Sequence, residues 1–440
     1  MTLRPTVLVE RLRSNLFVVP VVFVVGAVAL AAAMIAIDDR LGPAAPDLPF
    51  FVSSTVDSAR AILTTVATAT ITVAGIAFSI SLLVIQMASS QYSPRAVHGI
   101  FRDNTNKVII GVVVGTFTYC LIVLQAVRSE TSEGGEDVVP NLSVLVGLVL
   151  GVVAVLAIVA FINHNAHSME VSELLQDLTD QAVGAVRSTW PLAEDAPPPL
   201  PEPRHEAEGH VVNFDESGWI QYVDLDDLRA AAGPGGTVRF ESGVGRYAVA
   251  GVPLCTIWPH PPDPDAAATT ATIARGAVHT GRARTIGQDP AYGLRQLADV
   301  GIRALSAGID DPTTAQDAIF HLAAILREMH RRVPPPPVTQ DEHESTLVLS
   351  EAADQASMVE LAFEELRRSA RSHPAVSVYL LEAMSLLCRS ADPPAPDDAR
   401  EALRIQAGLV VAEADAADVI ETDHELVRAA HQDRFPDDQD

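Results

Sequence analysis

Four long apolar runs in the first 165 residues constrain the fold of this chain more than any other feature. They extend from Leu16 to Ile37, Ala61 to Ala88, Val108 to Val127 and Leu142 to Ile162. As helices with 1.5 Å of rise per residue, the runs are about 30 to 42 Å long, enough to cross a hydrocarbon core about 30 Å thick. One such run could be a buried core helix. Four almost uncharged runs in succession predict a four-span transmembrane domain over residues 1–165.

Charges beside the runs predict their orientation in the membrane. Arginines precede the first run, and Arg95, Arg102 and Lys107 lie between the second and third runs, whereas the loops after the first and third runs are acidic. By the positive-inside rule, both termini are expected in the cytoplasm. The first run could also be a signal peptide, but its apolar stretch is longer than a signal h-region.

The remainder of the chain is strongly acidic. Residues 1–164 contain nine Lys or Arg and ten Asp or Glu, whereas residues 165–440 contain 21 and 46. Such a domain repels phosphates and anionic headgroups, so no nucleic acid partner is expected. The cysteines, Cys120, Cys255 and Cys388, are far apart and predict neither a disulfide framework nor a zinc knuckle, which fits a reducing compartment.

The second run differs from the others because it is rich in Thr, Ser and Gly. At 100° per residue, its small and polar residues fall in one stripe about 80° wide. This polar stripe consists of Thr65, Thr68, Thr72, Gly75, Ser79, Gln86 and Ser90. The stripe is typical of close helix packing, and it could instead line a pore or solute path in an oligomer. No acidic or basic residue lies deep in a run, which argues against a proton-coupled pump built on intramembrane carboxylates.

Two close-packing motifs lie in the later runs. The third run contains GxxxG at Gly111 and Gly115, and the fourth contains it at Gly147 and Gly151. They predict tight helix contacts, within the subunit or between subunits.

The segment after the second run contains the signal for the start of a helix. Ser93 can cap a helix whose first residue is Pro94, and we expect a short helix through about Phe101. Arg95 and Arg102 then share one face, where they can meet lipid phosphates or an acidic partner. We predict that this segment couples the membrane part to the soluble part, through Gln91, Ser93, Pro94 and Arg95.

Three residues after the fourth run have the spacing of a metal site. His164, His167 and Glu170 follow one another at intervals of three. They could bind a divalent metal, but polar residues are common where a helix leaves the membrane, so no metal site is predicted.

The C-terminal part reads as an α+β fold with a small β-rich module and a helical domain. Asp289 before Pro290 and Asp311 before Pro312 predict two capped helix starts. Together with Asp299 and Asp310 these aspartates could form a cation site, although caps and solvated faces explain them more simply. The predicted segments are 166–204 (a helix and a proline-rich linker), 205–262 (the β-rich module), 263–333 (helical) and 340–434 (a helical bundle).

The chain lacks the motifs of several enzyme classes. Lys107 is its single lysine, so the C-terminal part has no lysine for a phosphate-binding loop or a pyridoxal Schiff base. GxSxG, HExxH and GxGxxG are also absent from the sequence. We therefore predict no catalytic residues and no cofactor. An enzyme is the least favoured of the three functions considered for this chain.

Two stretches resemble a known family. "AFSISLLVIQMASSQYSPRAVHGIFRDNTNKVIIGVVVGTFTYCLIVL" and "RTIGQDPAYGLRQLADVGIRALSAGIDDPTTAQDAI" are similar to the signatures of bacterial predicted membrane proteins, domain-of-unknown-function family 2254. The resemblance implies a bacterial inner-membrane protein with four N-terminal spans and leaves its activity open. Asp310 stands where the family pattern usually has Asn. The matching positions of the second signature are Arg284, Gln288, Asp289, Pro290, Gly293, Arg295, Asp299, Asp311 and Pro312.

Two functions are favoured over an enzyme. The first is a homo-oligomer in the lipid bilayer, channel-like or transport-like, that passes or senses a small ion or solute and carries a cytoplasmic regulatory domain. The alternative is a membrane-anchored scaffold or regulator that binds a protein partner through its acidic cytoplasmic domain.

Overall fold

The structure, a computed structural model, describes residues 18–41, 55–91, 104–127, 140–167, 170–351, 353–390 and 393–436. The chain divides into an N-terminal unit, residues 1–170, and a C-terminal unit, residues 171–440.

Four long helices form the described part of the N-terminal unit. Each is long and apolar enough to cross a membrane, as the four apolar runs predicted. The third helix packs against the other three, and the second also packs against the fourth. The helices are α1 (Val18–Leu41), α2 (Val56–Gln91), α3 (Asn104–Ala126) and α4 (Asn141–His167).

Glycines set the distances between these helices. A Cβ atom at Gly111 would lie 2.7 Å from the Phe23 ring on α1, and one at Gly147 would lie 3.0 Å from Leu63 on α2. Gly151 contacts α2 one turn further along. Both GxxxG motifs are therefore used for contacts within the chain.

Asp38, near the end of α1, caps the start of α4. Its carboxylate accepts hydrogen bonds from the backbone N–H groups of Leu142 and Ser143, at 3.1 and 2.9 Å, and from the Ser143 hydroxyl at 2.5 Å. The Tyr119 hydroxyl on α3 donates to the Ser143 carbonyl at 2.9 Å. Donors at a helix N-terminus need such acceptors, so one end of α1, α3 and α4 is joined by polar contacts.

Eight strands form two sheets in the described part of the C-terminal unit. One sheet has the order β1-β5-β3-β8-β7 and the other β4-β2-β6, and all pairs are antiparallel except β3 with β8. Apolar residues such as Val212, Ile220 and Leu254 form the core of this region. The strands are β1 (His210–Asn213), β2 (Gly218–Val223), β3 (Thr237–Phe240), β4 (Tyr247–Ala248), β5 (Pro253–Trp258), β6 (Val278–Gly281), β7 (Val338–Gln340) and β8 (Thr346–Leu349).

The sheets extend beyond the β-rich module expected at residues 205–262. Strands β6, β7 and β8 come from the segments that were expected to be helical or to link helices. Each has only three or four residues, too few to show a strand period in the sequence. Their hydrogen-bonded partners are distant in the chain, so only the folded structure brings them into a sheet.

Helices make up the rest of the C-terminal unit. Asp289 and Asp311 cap two of them by accepting backbone hydrogen bonds from Tyr292 and Thr314, each at 3.1 Å, which confirms the two predicted helix starts. The helices are α5 (Val171–Thr189), α6 (Leu225–Ala230), α7 (Pro264–Gly276), α8 (Pro290–Ala304), α9 (Pro312–His330), α10 (Gln355–Ala370), α11 (Pro374–Cys388), α12 (Asp397–Asp415) and α13 (Glu421–Arg434). Helices α5, α8 and α9 pack on one another, and α10 to α13 form a bundle beside α8 and α9.

Candidate functional site

The polar stripe of α2 points away from the other three described helices of the N-terminal unit. The buried residues of α2, including Ala59, Leu63 and Ala77, lie about 180° around the helix from the stripe. Ser90 belongs to the stripe, but its side chain lies outside the described ones. All the other members are exposed: Thr65, Thr68, Thr72, Gly75, Ser79 and Gln86. The stripe thus takes no part in packing within the described unit.

The hydroxyl groups of the stripe bond to their own helix. Thr65 donates to the Ala61 carbonyl at 2.7 Å, and Thr72 donates to the Thr68 carbonyl at 2.7 Å. Ser79 makes the same bond to the carbonyl four residues earlier, at 3.0 Å. The hydroxyl protons of these three residues are therefore satisfied, while each oxygen still offers an acceptor to a neighbour. The surface is weakly polar and carries no charge.

Gly75 leaves a gap in this surface. A Cβ atom at Gly75 would meet no atom within 4 Å, unlike one at Gly111 or Gly147. Gly26 on α1 is open in the same way. A glycine inside a helix costs roughly 1 kcal/mol relative to alanine, and no contact within the described unit uses the small size of Gly75.

Several predicted residues cannot be placed. Ser93, Pro94 and Arg95 lie outside the described residues, and Gln91 ends α2 with a side chain that is likewise outside them. The coupling role assigned to this segment stays a prediction.

The three candidate metal ligands after α4 are also not placed together. His164 is half-buried and Glu170 is exposed, but the side chain of His167 is not among the described ones. Among the described residues, no three His, Cys, Asp or Glu form a group that could hold a metal ion.

The family-like signature of the C-terminal unit centres on a buried ion pair. Asp289 accepts hydrogen bonds from Nε and Nη2 of Arg284, at 2.5 and 3.1 Å, and its side chain is 4 % exposed. Burial raises the pKa of the Asp289 carboxyl, and Arg284 opposes that shift. The guanidinium also lies over the Tyr292 ring, 5.0 Å from its centre. This pair fixes the start of α8.

Other signature residues join α8 to its neighbours. The Gln288 amide bonds both the N–H and the carbonyl of Val223 at the end of β2, at 2.9 and 3.2 Å. Arg295 binds Glu365 of α10 through two hydrogen bonds of 2.6 and 2.7 Å and also pairs with Asp299. The signature therefore connects the sheets to the helices.

The four aspartates of the possible cation site each have a protein partner. Arg284 pairs with Asp289 and Arg295 pairs with Asp299. Asp310 lies 3.3 Å from a ring nitrogen of His373, and Asp311 bonds the backbone and hydroxyl of Thr314 beside Pro312. Caps and ion pairs account for all four.

Sequence reasoning missed three residues that the fold depends on. Gly245 has a φ of +83°, and a Cβ atom there would overlap the Asp289 carboxylate. The sequence predicts Glu365 and Asp38 as charged residues exposed to solvent. Glycines flank Val244 in "GVGRY", which predicts a turn. For Gly245, Glu365 and Asp38 alike, however, the local sequence does not predict the distant residue that each one contacts.

Comparison with known proteins identifies relatives. Residues 13–386 match the family described as "Predicted membrane protein (DUF2254)". Uncharacterized protein Rv1290c of Mycobacterium tuberculosis and Uncharacterized protein Mb1321c of Mycobacterium bovis are each 30% identical over 383 residues, covering 86% of this chain and 72% of the relative. No solved structure matches the chain.

Proposed function

The chain belongs to the DUF2254 family of predicted membrane proteins of unknown function, and we propose that it is a homo-oligomeric, channel-like or transport-like protein for a small ion or solute. The observation that carries this proposal is the exposed polar stripe of α2. In this proposal the protein lies in the bacterial inner membrane with both termini in the cytoplasm, as the flanking charges predict. The C-terminal unit is then a cytoplasmic regulatory domain.

The stripe differs from the other outward surfaces of the N-terminal unit. Val25 of α1 and Val155 of α4 are 62% and 60% exposed, and their neighbours on the same outer faces are mostly aliphatic too. Side chains of this kind suit contact with lipid tails. Among the four described helices, only α2 replaces them with a row of hydroxyls, a glycine and a glutamine, which indicates a neighbour other than lipid. A second copy of the chain supplies such a neighbour.

A ring of subunits can bring several stripes to one axis. Hydroxyl oxygens and a glutamine amide then line the space between them, and no charged residue lies between Arg60 and Arg95 in the sequence. A lining without fixed charge repels neither cations nor anions and offers dipoles that can replace part of a hydration shell. This suits a small ion or a small polar solute.

Flux measurements on reconstituted vesicles test conduction. Replacing Thr68 and Thr72 with Val keeps side-chain volume and removes two hydroxyls, so we expect changed flux with intact assembly. Thr70→Val is the matched control because that hydroxyl lies on the buried face of the same helix and bonds only to its own backbone. Wild-type vesicles that pass no common ion or small solute would exclude conduction.

Cysteine cross-linking tests the assembly separately. A single cysteine at Thr72, in a protein whose three natural cysteines are replaced by alanine, should link copies of the chain under mild oxidation. A cysteine at Val155 should not, since that position faces lipid in this proposal. Equal linking at both positions would indicate random collision and contradict the interface.

The alternative function is a membrane-anchored scaffold or regulator. The excess of Asp and Glu over Lys and Arg in residues 171–440, 45 against 21, favours binding of a basic protein partner. Absence of flux together with absence of stripe cross-links would favour this alternative.

A further inference from the structure

The three-stranded sheet of the C-terminal unit, β4-β2-β6, has one face in the core and one face that carries aromatic rings. Ile220, Ala248 and Val278, one from each strand, belong to the buried core. On the other face the rings form two pairs, with ring centres 5.4 Å apart in the pair of β2 with β4 and 5.9 Å apart in the pair of β2 with β6. The residues of this aromatic face are Trp219, Tyr222, Tyr247 and His279.

The aromatic face is open to solvent. Tyr222 and Tyr247 are 44% and 54% exposed, and neither hydroxyl makes a hydrogen bond to a described residue. None of the three strands contains Asp, Glu, Lys or Arg. Exposed tyrosine and tryptophan rings are enriched at protein interfaces, because they offer a large apolar area and lose little conformational entropy on binding. The face therefore has the chemistry of a binding surface for flat, apolar groups.

The same chain exposes a run of prolines. Residues 197–201, with the sequence PPPLP, are all exposed, and their backbone makes no hydrogen bond to a described residue. Proline fixes φ and cannot donate, so such a run favours the polyproline II helix, which has no internal hydrogen bonds. A second proline stretch, residues 334–337, is mostly half-buried in its own unit. Only the first, here called the proline run, is fully available to a partner within the described part of the chain.

Contacts on both sides of the proline run hold it in place. Before the run, Leu192 forms a β-bridge with the segment that follows α9. After it, Glu202 pairs with Arg239, and His205 stacks on Trp258 with ring centres 4.4 Å apart. Arg239 and Trp258 belong to the five-stranded sheet, so the chain holds its own run there and leaves its own aromatic face open. A segment fixed at both ends loses little entropy when it binds.

We propose that the aromatic face of one copy of the chain binds the proline run of a second copy. Polyproline II segments are recognised by aromatic rings on small β-folds, and here one chain carries both elements. The charges agree: Glu194 and Asp195 precede the run, and Arg282, which follows β6, is exposed without an ion pair among the described residues. This inference rests on the proposed homo-oligomer, but it depends neither on the stripe of α2 nor on conduction.

Fluorescence anisotropy of a labelled synthetic peptide with the sequence of residues 194–205 tests the contact. The receptor is the full-length protein in detergent with Pro198, Leu200 and Pro201 each replaced by Ser, so that no neighbouring copy occupies the aromatic face. We expect saturable binding of the peptide. A peptide that carries the same three substitutions should bind at least tenfold more weakly. Absence of saturable binding to this receptor would overturn the proposal.

Further substitutions in the receptor locate the peptide. Tyr247→Ser removes the most exposed ring of the face and should weaken peptide binding at least fivefold. Arg282→Gln should weaken it about threefold at low salt and have a smaller effect at high salt, because salt screens exposed charges. Ile405→Ser is the matched control, since Ile405 on α12 is 52% exposed and does not belong to the face. Thermal melts establish that each variant folds, and a folded Tyr247→Ser receptor with unchanged binding would overturn the assignment of this face.

Cross-linking between two differently tagged copies identifies the occupant. Both copies lack the natural cysteines, one carries Leu200→Cys in the proline run, and the other carries Val249→Cys, two residues after Tyr247 and 49% exposed. We expect mild oxidation to join the two tags, and to join them far less when Ile405→Cys replaces Val249→Cys.

Equal linking at the two positions, or none at Val249, would overturn the second copy as occupant, even if the peptide binds. Peptide binding without a link between copies would instead point to a proline-rich segment of another protein. The α2 interface has its own test in the cysteine at Thr72, so links there without links at Val249 would contradict this inference and leave the proposed function standing.

Discussion

His330, the last residue of α9, makes the stability of the C-terminal unit depend on pH. Its side chain is 4% exposed, and neither ring nitrogen has a hydrogen-bond partner among the described residues. Burial lowers the pKa of His330 to about 4, Arg327 lowers it further, and Asp398 opposes the shift. The folded protein therefore keeps this imidazole neutral at pH values where an unfolded chain protonates it.

The sign and size of the effect follow from the two pKa values. Between the unfolded value of about 6.5 and the folded value of about 4, the unfolded state binds more protons, so stability falls as the pH falls. The full difference is roughly 3 kcal/mol, at 1.36 kcal/mol per pKa unit, and about 2 kcal/mol of it is lost between pH 7.5 and pH 5. Above about pH 7 the contribution of this histidine is constant.

His330→Leu removes the titrating group and leaves an apolar side chain at a buried position. Hydrogen exchange of the α9 amides, corrected for the intrinsic effect of pH, measures the local opening free energy in the full-length protein. From pH 7.5 to pH 5 we expect the wild type to lose about 2 kcal/mol more than the variant. The control is His343→Leu, which changes an exposed histidine. Equal pH dependence in wild type and His330→Leu would refute the reasoning.

Three further predictions concern the buried pair, a strained glycine and the membrane topology. Arg284→Ala leaves the Asp289 carboxylate buried without its partner, so unfolding of the C-terminal unit in urea should become easier by about 3 to 5 kcal/mol. Gly245→Ala should expose the start of α8 to faster hydrogen exchange, because alanine resists a φ of +83° and its Cβ would displace Asp289. A cysteine introduced at Thr131 should react with a membrane-impermeant reagent in intact cells, whereas one at Ser217 should not.

Each has a control. Arg368→Ala removes one member of an exposed pair with Glu364 on α10 and should cost about 0.5 kcal/mol or less. If Arg284→Ala costs no more than that, the buried pair does not hold the unit together. Gly287→Ala, at a glycine with open space around it, should leave exchange at α8 unchanged. Labelling of Ser217 from outside would reverse the predicted topology.

The sequence by itself determined the four helices of the N-terminal unit and two helix starts in the C-terminal unit. Apolar runs of that length without charge have few stable alternatives to a membrane helix, since every backbone polar group must be satisfied within the segment. Asp289 and Asp311 each stand beside a proline, and a cap needs only residues within one turn. Residues close together in the chain determine both the membrane helices and the capped helix starts, so the sequence predicts them.

Only the tertiary structure decided which surfaces these elements share. Period 3.6 placed Thr72 and Gly75 on one face of α2, but which face of a helix meets its neighbours depends on the shapes of all four helices. Likewise, β8 pairs with β3, which lies more than a hundred residues earlier in the chain. Gly245 makes room for Asp289 by adopting a positive φ, which the neighbouring residues do not predict. Contacts between distant segments depend on three-dimensional packing. A strand of four residues such as β8 has too short a sequence pattern to specify its partner strand.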